Sequence, residues 1–170
     1  MKLQIKKVTI KNLENFKKTQ NKIAFYDGNE TFCGYDFLSL HERYILKCNN
    51  TFAGFCSTKY LLRYSVLLKF GLIKKYSKDN IDVYFLNSIF ENIFDSGIDN
   101  IFIFELSKNN KYKKIIELFF EPINIDFWKG LLSKQFILLI ESNIIKSYVL
   151  RKEDYYKNEH RKKFAKINIL

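Results

Sequence analysis

Between residues 60 and 106 the chain sets three segments in a row: YLLRYSVLLKFGLI (60–73), a helical stripe and IFIFEL (101–106). The first is long, β-branched and aromatic. The stripe is Val83, Leu86, Ile89, Phe90, Ile93 and Phe94, spaced for one face of a helix, with Gly97 where a left-handed residue would end it. IFIFEL is apolar at nearly every position, the pattern of a strand covered on both faces of a sheet. Strand, helix and buried strand form a crossover unit, which joins parallel neighbours and is right-handed on general grounds. The expectation is a sheet with one parallel pairing, between 60–73 and 101–106, bridged by a helix over 83–96.

The remaining segments point to antiparallel neighbours. RYILKC runs into Asn49-Asn50, a turn pair, and FAGFCS returns, which predicts a hairpin. Leu3, Ile5, Val8 and Ile10 suggest a first strand, and Asn12 caps a helix carrying Leu13, Phe16, Ile23 and Ala24. YDGNETFCGYD is irregular, and a short second helix is expected around Phe37, Leu38 and Leu40. Tyr112, Ile115, Ile116 and Phe119 mark another helix, stopped before Pro122. FEPINIDFWKGLL has no assigned shape; QFILLIES and KSYVLRKED are the last two expected strands, separated near Asn143. The fold class is α/β (α+β): a mixed, mostly antiparallel sheet with flanking helices. The expected organisation is one domain over 1–156, followed by a basic, peripheral C-terminal tail, 157–170.

Composition narrows the function classes. The 170 residues are 47% hydrophobic, enough for one core. No apolar run reaches the roughly 18 residues of a membrane span. The opening MKLQIKKVTIKNLENF carries no hydrophobic signal segment, so a soluble cytoplasmic protein is expected. Cys33, Cys48 and Cys56 lack CxxC spacing and read as reduced thiols; Cys56, in GFCS, has no histidine–aspartate arrangement behind it and reads as a buried strand residue. His41 and His160 lie in no metal-ligand spacing, so no metal is expected. Lys+Arg 29 against Asp+Glu 18 gives +11, which favours nucleic acid, an acidic membrane surface or a phosphate-bearing small molecule. The same balance follows from the Lys, Asn, Ile and Phe bias of an A- and T-rich genome.

The order of elements, with RYILKCNNTFAGFCS as first hairpin, KFGLIKK ending the long strand and IFIFELSKNNKYKKIIELFFEP as strand, turn and helix, resembles the GNAT superfamily of acyl-CoA-dependent N-acyltransferases over roughly residues 2–156. KFGL followed by a helix is most similar to the branch that acetylates amino-sugar nucleotides, as in the pseudaminic-acid pathway. The resemblance implies acetyl-CoA as donor and a primary amine, of an amino sugar or a peptide, as acceptor. It implies that Phe70, Gly71, Leu72 and Ile73 bind the pantetheine arm as an added strand would. Lys78, Asn80, Ile81, Asp82 and Val83 would then meet the pyrophosphate at a helix start, with Asn110 in the Asn-containing turn after the fifth core strand.

The chain departs from the family at that loop. Where the pattern is Gln/Arg-x-x-Gly-x-Gly/Ala, it reads Ser77-Lys78-Asp79-Asn80-Ile81-Asp82. Asn80 can adopt the left-handed conformation of a glycine, Asp82 fits as a helix N-cap, and Lys74, Lys75 and Lys78 restore positive charge. Seven residues after Asn110, where many family members place a tyrosine acid, stands Glu117; Tyr112 lies on the same helix, one turn earlier. Glu105, near the end of the buried strand, is a candidate general base, and His41 is another if the short second helix lines the substrate mouth. Two other readings stay open. One is a basic binding module for nucleic acid or protein, its lysines interleaved with aromatics; the other is an acyltransferase with acyl carrier protein as donor. An apolar strand at QFILLI would also allow a homodimer.

Overall fold

The computed structural model describes residues 2–8, 40–73, 76, 80–106, 113–164, 167 and 169; the side chains of Leu40, His41, Glu105 and Leu106 are outside the description. The expected helix carrying Leu13 and Phe16, the segment with Phe37 and Leu38, and Cys33 lie outside the described residues. The elements are β1 (Leu3–Lys7), β2 (Leu40–Cys48), β3 (Thr51–Leu62), β4 (Ser65–Leu72), α1 (Ile81–Asp95), β5 (Asn100–Leu106), α2 (Lys113–Phe119), β6 (Glu121–Pro122), α3 (Ile125–Trp128), α4 (Lys134–Glu141), β7 (Ile145–Arg151), α5 (Lys152–Lys157) and α6 (His160–Lys163). The strands form one mixed sheet in the order β1-β2-β3-β4-β5-β7-β6. Every pairing is antiparallel except β4 with β5.

The β2–β3 hairpin closes through Asn49 and Asn50, both with positive φ (49° and 64°), the combination that matches strand twist. The segment 60–73 is not one strand. It is cut at Arg63 and Tyr64, so residues 60–62 finish β3 and β4 begins at Ser65. Tyr64 takes φ 57°, and its carbonyl accepts from the Asp99 and Asn100 N–H groups at 2.8 and 3.2 Å. The α1–β5 connection thus supports a turn that carries no glycine or asparagine.

α1 packs on one face of the sheet. Leu86, Ile89, Phe90, Ile93 and Phe94 are fully buried against residues such as Tyr44, Leu46, Cys56 and Leu68. Phe90 meets Phe119 and Phe120 edge to face at 5.6 Å, which ties α2 and its exit into the same core. Gly97, at φ 92°, follows the helix end. On the other face Trp128 is fully buried beside Phe102 and Val149, and its indole N–H donates to Ser147 Oγ at 2.8 Å.

Two of the last segments differ from expectation. QFILLIES is not a strand but forms α4 to Glu141 and its C-cap Ser142; Ser133 caps the start, its hydroxyl accepting from the Phe136 N–H at 3.3 Å. Phe136 stacks edge-on against Phe104, and Ile137 and Ile140 pack on the Trp128 cluster, a helical spacing. As a helix it offers no strand edge for a dimer. KSYVLRKED is strand only to Arg151; the Lys152 N–H then bonds Asp99 O at 2.9 Å, and Glu153 and Asp154 open α5 with negative charge at its start.

Arg161, Phe164 and Ile167 of the basic C-terminal tail, expected at the periphery, bond to α1. Asn87, fully buried, donates to the carbonyls of Arg161 and Phe164 at 3.1 and 3.3 Å and accepts from the Tyr155 hydroxyl at 3.0 Å. Ile167 N–H donates to Ser88 Oγ, and Ile169 bridges Ile5 of β1. Among the described residues no helix is long and apolar enough to cross a membrane.

Candidate functional site

The parallel ladder is short. β4 and β5 pair at Ser65↔Asn100, Val66↔Ile101 and Leu67↔Phe102, and there the two strands part. β4 runs on against β3, from Thr58↔Leu68 to Gly54↔Leu72, while β5 runs on against β7, from Ile103↔Tyr148 to Leu106↔Ile145. The result is a fork in the middle of the sheet whose arms are 68–72 and 103–106. An extended ligand laid in such a fork can add to a strand edge through main-chain hydrogen bonds.

Phe70, Gly71 and Leu72 lie on the β4 arm, past the last parallel pair, and Ile73 follows with its N–H on Ala53 O at 2.9 Å. Phe70 and Leu72 are buried in the core, so what this arm presents to a ligand is mainly backbone. Gly54 lies beneath the arm. A Cβ there would stand 2.4 Å from Leu72 Cδ2 and 2.7 Å from the Gly71 carbonyl oxygen, so its absence sets the approach of β3 to β4.

From the end of β4 the chain returns as α1. Asn80 is the N-cap, left-handed at φ 58°, and its carbonyl accepts from the Tyr84 N–H at 3.0 Å. Asp82 is therefore not the N-cap; it sits in the first turn, where Oδ1 accepts from the Val83 N–H at 2.9 Å. Burial pushes the Asp82 carboxyl above its ordinary range, against the opposing pull of the Val83 amide, Lys114 and its own amide. Lys114, from α2, donates to Asn80 Oδ1. The side chains of Ile81 and Val83 are buried, so these two meet a ligand only through their main chain.

Lys78, Asn110 and Tyr112 lie outside the described residues. The backbone of Glu105 is on the β5 arm, opposite Lys146 of β7. His41 is not on a helix: it belongs to β2, at a register shift between Leu40↔Lys59 and Glu42↔Thr58, with β3 between it and β4. Residues 70–72 thus lie on the β4 arm with Ile73 just beyond it, the backbone of Glu105 lies on the β5 arm, residues 80–83 form the start of α1, and His41 is two strands from β4. Glu117, at the family's tyrosine spacing, is exposed and paired with Lys113 at 3.7 Å.

One buried polar group has no forerunner in the sequence reading. The Glu42 carboxylate, 7% exposed, pairs with half-exposed Lys7 of β1 and accepts from the Tyr44 hydroxyl and the Asn92 amide of α1. Burial and the hydrogen bond to Glu42 push the Tyr44 hydroxyl far above its ordinary range. Cys56 is fully buried, and burial, with Glu42 nearby, pushes its thiol up, which suits a structural thiol and not a nucleophile. The only trace in the sequence is the i, i+2 spacing of Glu42 and Tyr44, which puts both on one strand face. Lys114 left no trace, because it reaches Asn80 from 34 residues away.

No protein-family model matches the sequence, and no curated protein matches it. Solved structures do match the fold. A GNAT-family acetyltransferase from Staphylococcus aureus Mu50 superposes with a TM-score of 0.65 at 14% identity, over 88% of this chain and 98% of that one. N-acetylglutamate synthase from Neisseria gonorrhoeae, solved with coenzyme A and N-acetyl-glutamate, gives 0.64 at 14% identity, over 89% of this chain and 35% of its own. The PaiA N-acetyltransferase from Thermoplasma acidophilum, solved with coenzyme A, gives 0.62 at 13% identity, over 89% and 99%. The fold here is that of the GNAT acetyltransferases.

Proposed function

We propose that this chain is an acyl-CoA-dependent N-acetyltransferase that takes acetyl-CoA into the fork between β4 and β5 and acetylates a primary amine. The observation that carries the reading is the parting of β4 and β5 after three parallel pairs, with α1 the next element along the chain after β4. Residues 70–73 supply the backbone arm for the pantetheine, and the N-terminal amides of α1, with Lys114 beside them, supply the anion-seeking end.

The fork holds thioester and amine together, which replaces an encounter in solution by a local one. The amine nitrogen attacks the thioester carbonyl, the C–N bond forms, the C–S bond breaks and coenzyme A leaves as thiol. The acceptor arrives as an ammonium, so a base must take one proton; Glu105, on the β5 arm, is the assigned base. Tyr112 is assigned to deliver a proton to the departing sulfur, and the second nitrogen proton, released as the amide forms, restores the Tyr112 hydroxyl. The acceptor class that fits the sequence resemblance is an amino-sugar nucleotide, with a peptide amine second.

A basic binding module is favoured by one specific feature, the Asp82 carboxylate on an amide where a phosphate would rest. The two readings separate in one assay of thiol release from acetyl-CoA, run against amino sugars, amino-sugar nucleotides and peptide amines. Acceptor-dependent thiol release supports the enzyme. No release with any acceptor, together with a melting shift for short DNA and none for coenzyme A, overturns it in favour of the binding module. Release only when an acyl carrier protein is the donor keeps the chemistry and changes the partner.

A further inference from the structure

The first turn of a helix leaves N–H groups without partners inside the helix, and the dipole makes that end attractive to anions. In α1 one of this chain's own carboxylates already uses that attraction. Asp82 Oδ1 accepts from the Val83 N–H at 2.9 Å, and the Asp82 main-chain N–H also stabilises the same carboxylate. The Tyr84 N–H is committed to the Asn80 carbonyl. Among the described residues the charged group that faces the carboxylate is Lys114 of α2, and its ammonium is itself tied to Asn80 Oδ1.

We propose that Asp82 is a built-in competitor for the anion end of the fork, so that a phosphate-bearing coenzyme binds at α1 only as the Asp82 carboxylate takes up a proton. This concerns the regulation of the site proposed above and rests on that reading. A pyrophosphate and an ionised carboxylate cannot share two first-turn amides without strong repulsion. Protonation removes the charge, and the resulting O–H becomes a donor to a phosphate oxygen. Burial already favours the neutral form, which lowers the cost of that step.

The sign follows from linkage. Asp82 in the free protein has a raised pKa, and a neighbouring phosphate raises it further. Between those two values binding absorbs a proton, and affinity falls as pH rises, by at most about tenfold per pH unit. Acidification therefore loads the site and alkalinity empties it.

Calorimetric titration of the full chain with coenzyme A from pH 5.5 to 8.5 tests this, comparing wild type with Asp82→Asn. The amide keeps the shape and can still accept from the Val83 N–H, but it carries no charge. Coenzyme A's own phosphate titration is common to both proteins, so the ratio of their affinities isolates Asp82. The expected result is Asp82→Asn tighter than wild type at pH 8.5, by several-fold to about tenfold, with the gap narrowing as pH falls. Asp82→Ser, a second uncharged variant, moves the same way if the Asn variant folds poorly. Coenzyme binding of equal strength in wild type and both variants at every pH overturns the competitor while leaving the proposed function standing. No binding by any of the three at millimolar coenzyme overturns both.

Discussion

Gly54→Ala is the sharpest steric probe of the fork, because its effect can be worked from two contacts. The added methyl would lie 2.4 Å from Leu72 Cδ2 and 2.7 Å from the Gly71 carbonyl oxygen, where ordinary contact begins at 3.4 Å. The Leu72 side chain is 4% exposed and has little room to turn. The Gly71 oxygen is main chain and moves only with β4. Relief therefore takes a shift of roughly 1 Å of the 71–72 backbone away from β3, of the kind that costs about 1–3 kcal/mol in a packed core. For a chain of this size that is a fall in melting temperature of roughly 2–12 °C. The displaced segment is also the proposed pantetheine arm, so coenzyme A affinity should fall in parallel. Gly130→Ala is the comparator: a Cβ there has nothing within 4 Å, and only the φ of 86° opposes it. It should cost about 1 kcal/mol and leave coenzyme affinity unchanged. Differential scanning calorimetry and coenzyme titration read both quantities. A Gly54→Ala protein that melts with wild type and binds coenzyme A normally would refute the steric reasoning.

Three further outcomes are expected. Glu105→Gln should lower turnover by roughly 10²–10⁴-fold near neutral pH and less at high pH, where the amine is already neutral, with coenzyme affinity unchanged; full activity across pH would remove Glu105 from the base role. Asn87→Ala strips the carbonyls of Arg161 and Phe164 of their shared donor and should cost about 2–3 kcal/mol in urea unfolding, with faster hydrogen exchange over 160–169; a loss under about 0.5 kcal/mol would show that the C-terminal segment holds without it. Glu42→Ala leaves the Tyr44 hydroxyl and the Asn92 amide without their carboxylate while Lys7 turns to water, for a loss of about 2–3 kcal/mol by the same measurement; an unchanged midpoint would mean the cluster contributes nothing net.

The crossover was legible because burial on two faces leaves a plain mark. Ile101, Phe102 and Ile103 are all nearly inaccessible, as an uninterrupted apolar run implies, and the α1 stripe is the buried face. Asn87 and Ser88 fell outside that stripe yet are buried, because α1 is covered a second time by the C-terminal segment, a contact between residues over 70 positions apart. The turn at Tyr64 was invisible, since its left-handed residue is an aromatic supported by Asp99 and Asn100 and not by its own preference. QFILLIES misled because a short apolar run suits strand and helix alike, and only the Ser133 cap and the Phe104 contact decide for helix. Residues 70–73 are assigned to the site from Gly71 and its flanks and from the family resemblance; the splay of the two strands enters through that resemblance alone, because in the chain it depends on β5 turning away to pair with β7. In the sequence Asp82 reads as the cap and Asn80, two residues earlier, as a glycine substitute, whereas in the fold Asn80 is both left-handed and the N-cap.

Hydrogen–deuterium exchange with and without coenzyme A tests the fork as a coenzyme seat most directly. Bound coenzyme should slow exchange in peptides covering residues 68–73 of the β4 arm and 80–84 at the start of α1. The β3–β4 turn at 63–64 and α4 should remain unchanged. Protection confined to the turn or to α4, or no protection at saturating coenzyme A, would contradict the placement of the coenzyme between β4 and β5.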